Sequence, residues 1–327
     1  MGTATSPNGS RATIVTLTMN PALDITTTVD RVRPTVKLRC HGDRHDPGGG
    51  GINVARVAHV LGASAFAVFP AGGPTGDMVA DLLVAEHVPF HRIGIVDCTR
   101  ESLTVDEDAS GQQYRFVLPG PRLTFAERAR CLDELRLAAN FARFVVVSGS
   151  LPPDLSADFY RQVAEICRDI GAQLILDTSG IGLRHITSGV FLLKPSLREL
   201  NECVGRELTT ETDQVRAARE LIQRGQAQVV VVSLGNQGAL LVTAQGHERF
   251  PAIKMRSGSG VGAGDAMVAA ITVGLSRGWP LSKSVRFGIA AGAAMLMTPG
   301  TAVCNRADVE RLFQLIAEPA DRDLVTS

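Results

Sequence analysis

Residues Ser257 to Asp265, read Ser-Gly-Ser-Gly-Val-Gly-Ala-Gly-Asp, set four glycines at alternate positions ahead of the helix-forming run Ala266–Ala270. Glycine lets a backbone turn tightly and come close to a ligand. Unpaired N–H groups at a helix start, with the positive end of its dipole, form an anion site. One carboxylate, Asp265, stands inside that site. No Gly-Lys-Ser/Thr follows, so the loop is not a Walker A loop. It lies late in the chain and no acidic residue ends a strand about 20 residues on, so it is not a dinucleotide fingerprint either. A carboxylate among phosphate-binding amides suits phosphoryl transfer: the amides hold the transferring charge while the carboxylate takes the proton of an attacking hydroxyl. Taken alone, Asp265 reads equally as a first-turn acid of a helix.

Two further motifs carry polar chemistry. Pro47-Gly48-Gly49-Gly50-Gly51-Ile52-Asn53-Val54-Ala55-Arg56 runs four glycines into a helix. Its amides can meet a ligand, and Asn53 can donate to and accept from a sugar hydroxyl; a turn with a helix cap has the same pattern. Thr18-Met19-Asn20-Pro21-Ala22-Leu23-Asp24 follows the first apolar run, at the strand edge where open α/β sheets gather ligands. Asp24 can accept from two neighbouring hydroxyls, though Asn-Pro after a strand is also an ordinary turn.

The elements that must position these motifs are strands and helices in alternation. Strands are expected at Ala12–Thr18, Ala65–Phe69, His91–Val96, Phe144–Ser148, Gln173–Asp177, Val190–Leu193, Val229–Ser233, Ala239–Thr243 and His247–Phe250. Helices are expected at Ile52–Leu61, Thr75–Glu86, Phe125–Ala139, Ser156–Ile170, Leu197–Val204, Asp213–Arg224, Ala263–Arg277, Leu281–Leu296 and Arg306–Glu318. The runs Phe144–Val147 and Val229–Val232 are apolar at consecutive positions, as in strands buried on both faces. The sum is an α/β fold: a doubly wound, mainly parallel sheet flanked by helices. Ile25–Asp46 and Glu101–Leu118 alternate instead as half-exposed antiparallel strands do. They predict a small antiparallel β lid, whose apolar face is a natural dimer surface.

The chain has 327 residues, with 33 Lys+Arg against 33 Asp+Glu. That balance gives no electrostatic reason to expect nucleic acid or a membrane as partner. Six cysteines form no CxxC or zinc spacing and read as reduced thiols of a cytoplasmic protein. The polar residues 1–11 lack the apolar core of a secretory signal and are expected to be mobile, as is a tail at 319–327. The uncharged stretch Phe287–Asn305 is broken by Pro299-Gly300, so it predicts a buried core helix, since a spanning helix needs about 20 apolar residues. Asp177 ends a strand and could sit near a metal or serve as a cap, and the seven histidines show no metal or catalytic spacing.

Taken in order, the three glycine- and Asp-bearing motifs resemble those of the PfkB carbohydrate kinase family, of ribokinase-like fold, over about 12–318. Tyr114-Arg115-Phe116-Val117-Leu118-Pro119-Gly120 and the four-glycine loop are most similar to the family's type-B phosphofructokinase branch. The resemblance implies transfer from MgATP to the 1-hydroxyl of fructose 6-phosphate, with tagatose 6-phosphate or fructose 1-phosphate as alternative acceptors. It implies Asp265 as the base and Gly262, Ala263 and Gly264 as the anion hole. Asp24, Gly49, Gly50 and Asn53 would hold sugar hydroxyls; Arg100 and Ser150, the sugar's phosphate. A guanidinium matches phosphate bidentately. Lys37 and Arg39 of the lid would reach phosphates or keep an exposed strand soluble. Lys194 would approach ATP, Glu199 would act on Mg²⁺ through water, and Ser233, Gly235 and Gly238 would lie beside the nucleotide. Ser196 stands where the family usually has Asn, and offers one hydroxyl instead of an amide. K⁺ serves some relatives, and many dimerise through the lid sheet. A non-catalytic sugar-phosphate sensor and a nicotinamide oxidoreductase are the rival classes; the intact Asp265 loop argues against the first.

Overall fold

The computed structural model describes residues 13–156, 158–178, 181–186, 188–255, 260–298 and 302–316. The expected mobile ends 1–11 and 319–327 lie outside the described residues, as do Ala12, Ser257–Ser259, Pro299-Gly300 and the end of the last expected helix.

The main sheet has nine strands: β1 Ile14–Leu17, β4 Ala65–Ala71, β5 Phe90–Gly94, β8 Phe144–Ser148, β9 Gln173–Asp177, β10 Val190–Leu193, β11 Ala227–Ser233, β12 Ala239–Thr243 and β13 His247–Phe250. Their order is β13-β12-β11-β10-β9-β8-β1-β4-β5. The seven from β11 to β5 pair in parallel, and β12 and β13 add antiparallel at one edge. The order reverses at β1, which has β4 on one side and β8 on the other. The carboxyl ends of β1 and β8 therefore open a crevice between diverging connections, which is where doubly wound sheets bind ligands.

Alternate residues of the central strands feed two apolar layers. Ile14, Val146, Ile175 and Leu192 face α1 Gly50–Val60, α8 Ala263–Ser276, α9 Leu281–Met295 and α10 Arg306–Leu315. Val15, Leu17, Val145, Val147, Leu174 and Leu176 face α3 Phe125–Ala139, α4 Asp158–Ile170, α6 Leu197–Val204 and α7 Glu211–Gln223. The uncharged stretch becomes α9, a core helix as expected; among the described residues no helix is long and apolar enough to cross a membrane. Gly288 of α9 permits its contact with α8, because a Cβ there would stand 2.7 Å from Ile271 Cγ1 and 2.9 Å from the Met267 carbonyl oxygen.

The small sheet is built from β2 Ala22–Val29, β3 His41–Gly48, β6 Arg100–Glu107 and β7 Gln113–Val117, in the order β3-β2-β6-β7. Its outer pairings are antiparallel, as expected, whereas its central pair β2–β6 is parallel. The two segments are joined through the main sheet, α1 and α2 Gly73–Ala85, not by a hairpin, so they enter the small sheet running the same way. Both inner strands begin earlier than expected, which puts Asp24 and Arg100 in the lid. Asp24 stands opposite Asp46 of β3 and Ser102 of β6.

Gly288→Val should destabilise the fold by about 1–3 kcal/mol through overpacking of the α8–α9 contact. Gly246→Ala, with nothing within 4 Å of the added Cβ, should leave the midpoint in place. Thermal unfolding by circular dichroism compares the two.

Candidate active site

Gly262 enters α8 in a left-handed conformation, φ 74°, which suits glycine. The amides of Gly264 and Asp265 come before the first intrahelical bond, Ala266 N–H to Gly262 O at 2.9 Å, so they have no partner within the helix. The Ala263 amide is partly spent on the Gly260 carbonyl at 3.3 Å.

Asp265 is held by donors from two other elements. Asn53 Nδ2 of α1 donates to Oδ2 at 3.0 Å, and Ser148 Oγ at the end of β8 donates to Oδ1 at 3.1 Å. Gly50 makes this possible: a Cβ there would stand 2.4 Å from Ser148 Oγ. Burial pushes the Asp265 pKa above its ordinary value, opposed by the bonds from Asn53 and Ser148 and by Lys194. Such a carboxylate is a stronger proton acceptor that is still held in place.

Lys194, 4 % exposed, follows β10 beside the start of α8; a Cβ on Gly264 would lie 3.6 Å from its Nζ. Its partner is Asp177 Oδ1 at 3.2 Å. Asp177 thus stands beside Lys194, as the placement near a metal allowed. Burial raises Asp177 to about 6, with Lys194 opposing and Asp265 and Glu199 adding to the rise. Burial alone would lower Lys194, but Asp177, Glu199 and Asp265 together carry it above its ordinary value. Ser196 and Glu199 form a capping box on α6: Ser196 Oγ accepts from Glu199 N at 3.2 Å, and Glu199 Oε2 accepts from Ser196 N at 2.8 Å. Serine in place of asparagine is thereby an N-cap. Ser233 donates its N–H to the Pro195 carbonyl at 2.9 Å, so the turn carrying Gly235 and Gly238 lies against the Lys194 segment.

The lid lines the other side of the crevice. The Asp24 carboxylate crosses Gly48, where a Cβ would stand 2.3 Å from Oδ2. Burial raises its pKa to about 6, against Arg100, Arg115 and Arg56. Arg100 donates to Asn20 O at 3.3 Å, Ser102 Oγ at 3.4 Å and Leu118 O at 3.5 Å. Ser150 Oγ accepts from Asn20 Nδ2 at 3.1 Å. Gly49 turns into α1 at φ 110°. Lys37 and Arg39 lie in the exposed connection between β2 and β3, not in a strand, and among the described contacts neither touches the Asp265 cluster.

Arg56, 1 % exposed, was readable only as part of the glycine motif. It pairs with Glu86 through Nε at 2.6 Å and Nη2 at 2.5 Å, with Asp46 at 3.4 Å, and with the Pro47 carbonyl at 3.1 Å. It also reaches Asn53 Oδ1 at 3.4 Å. Arg56 ties the lid strand β3 to α1 and turns the Asn53 amide so that its nitrogen faces Asp265.

A held proton acceptor beside open amides, under a sheet that can shut out water, is what moving a phosphoryl group onto a hydroxyl demands. On a doubly wound sheet this defines a sugar kinase of the ribokinase-like class. The pfkB family carbohydrate kinase profile matches residues 17–308, and the chain belongs to that family. It is 67 % identical over 308 residues to the ATP-dependent 6-phosphofructokinase isozyme 2 of Mycobacterium tuberculosis H37Rv, covering 94 % of this chain and 91 % of that one. The crystal structure of phosphofructokinase-2 from Escherichia coli in complex with fructose-6-phosphate superposes with a TM-score of 0.87 at 39 % identity, covering 93 % of this chain and 99 % of that one. The 1-phosphofructokinase of Bacillus subtilis is 30 % identical over 282 residues, covering 86 % of this chain and 91 % of that one.

The raised Asp24 pKa has a testable sign. A group whose folded pKa exceeds its unfolded value contributes stability that is fully present below the unfolded pKa and lost as pH rises through the folded one. For Asp24 that window runs from 3.8 to about 6. Asp24→Asn should therefore raise the unfolding midpoint at pH 8 and lose that advantage as pH falls toward 4, read by scanning calorimetry across pH.

Proposed function

We propose that this chain phosphorylates fructose 6-phosphate at its 1-hydroxyl with ATP, giving fructose 1,6-bisphosphate. The observation that carries the reading is the Asp265 carboxylate, fixed by Asn53 and Ser148 at the mouth of α8, in a chain far closer to a 6-phosphofructokinase than to a 1-phosphofructokinase.

Asp265 takes the proton of the 1-hydroxyl as oxygen attacks the γ-phosphorus in line. The amides of Gly264 and Asp265, at the turn of Gly262 and Ala263, face the equatorial oxygens, and Lys194 adds a cation. Asp24, Gly49 and Gly50 orient the sugar; Arg100 and Ser150 hold its phosphate. Asn53, spent on Asp265 and Arg56, serves more as a holder of the base than as a sugar ligand. Lys37 and Arg39 serve phosphate binding if the β2–β3 connection folds inward. Ser233, Gly235 and Gly238 border the nucleotide.

Mg²⁺ fits the donor set, because Asp177, Glu199 and Asp265 oppose the single ammonium of Lys194. Among the described residues no group of three metal-ligating side chains converges, so Glu199 and Asp177 would act on an ATP-borne ion through water. When bound, Mg²⁺ neutralises charge on the β- and γ-phosphates. Residues 12–318 would form one cytoplasmic kinase domain, with K⁺ as a further activating ion. Leu103 and Phe116 lie partly exposed on one face of the lid, beside exposed Leu118. They support a homodimer through that sheet, and sedimentation of the purified chain should show a dimer, a monomer being the contrary result.

A coupled ADP-release assay should give the highest kcat/KM with fructose 6-phosphate among fructose 6-phosphate, tagatose 6-phosphate, fructose 1-phosphate and fructose. Preference for another of these sugars moves the substrate and keeps the mechanism. Asp265→Ala should lower kcat by about a thousandfold or more while sugar and ATP binding survive in calorimetric titration; near-normal turnover would remove the base assignment.

A further inference from the structure

Asn20 sits between the two groups assigned to the sugar's phosphate, and it is 8 % exposed. Its main-chain carbonyl accepts from Arg100 Nη2 at 3.3 Å and its side-chain Nδ2 donates to Ser150 Oγ at 3.1 Å. Two buried polar atoms in the same place lack hydrogen-bond partners among the described residues: Asn20 Oδ1 and Arg100 Nε. Such atoms are costly unless a ligand or water completes them.

The orientation of the amide is fixed from its other side. A Cβ on Gly120 would stand 2.0 Å from Asn20 Oδ1 and 3.1 Å from Nδ2. The oxygen therefore lies across the Gly120 Cα, where a C–H can support it as a weak donor, and the nitrogen is turned to Ser150. This explains the glycine that closes the Tyr114–Gly120 motif: any side chain there would displace the amide.

We propose that Asn20 is a positioning residue that sets the hydrogen-bond polarity of the phosphate subsite. A hydroxyl can both donate and accept. With Asn20 donating to its oxygen, Ser150 turns its own hydrogen outward into the crevice. A phosphate offers acceptors only, so a subsite for it needs donors alone. The Asn20 carbonyl does the same for Arg100 by taking one Nη2 hydrogen and fixing the plane of the guanidinium. The opposite amide orientation would turn the Ser150 hydrogen inward and present a lone pair to the anion. The inference rests on the reading of Arg100 and Ser150 as the phosphate ligands.

The test is steady-state kinetics with fructose 6-phosphate and ATP on Asn20→Ala, Asn20→Asp, Ser150→Ala, Arg100→Ala and the double variant Asn20→Ala/Ser150→Ala. Asn20→Ala should raise KM for the sugar phosphate about tenfold, with KM for ATP unchanged within about twofold. Asn20→Asp, of the same shape and accepting at both oxygens, should raise it further. In the Ser150→Ala background, Asn20→Ala should add less than about twofold, because its partner is already gone. An unchanged KM in both Asn20 variants, alongside raised values in Ser150→Ala and Arg100→Ala, overturns the role of Asn20 and leaves the subsite standing. Full additivity in the double variant also overturns it. Unchanged KM in Ser150→Ala and Arg100→Ala overturns the subsite and the inference together.

Discussion

The crevice is organised around one partly buried carboxylate. A carboxylate at the mouth of α8 loses hydration that an isolated ion would not give up. Asp265 keeps its place only because Ser148 and Asn53 bring donors to both of its oxygens. Those donors belong to β8 and α1, remote in the chain from α8. The reversal of strand order between β1 and β8 opens the crevice, Gly50 lets α1 reach Ser148, and Arg56 turns Asn53. Each is a geometric requirement of holding that single carboxylate.

The two halves of the crevice carry opposite electrostatic problems. Around Lys194, carboxylates outnumber the one lysine, and Asp177 and Asp265 are both raised by burial. Beneath the lid, Asp24 is surrounded by Arg100, Arg115 and Arg56. A cationic pocket complements an anionic acceptor, whereas the acidic one needs a metal ion to accept a nucleotide's phosphates.

The parallel core was legible because Phe144–Val147 and Val229–Val232 are apolar at consecutive positions, and that pattern depends on burial alone. The α8 loop was legible because glycine spacing is a local property. The central parallel pairing of β2 with β6 was not, since it follows from the path through α1 and α2. Nor were the partners of Asp177, Arg56 and Asn53, which lie far off in sequence, such as Asn53 with Asp265. Ser196 stood out as a departure from the family pattern, and its meaning came from Glu199 three residues on, a capping box that is local after all.

The lid and the crevice concentrate the groups that a stable fold would avoid. Thr18 Oγ1, Asn20 Oδ1, Thr26 Oγ1 and Arg100 Nε are buried without partners among the described residues, and Asp24 is an acid held where burial favours its protonated form. A partner that completed such an atom would recover the cost of its burial. On the proposed reading, an acceptor hydroxyl beside Asp265 takes the place of water there, the condition under which transfer to sugar outruns transfer to water.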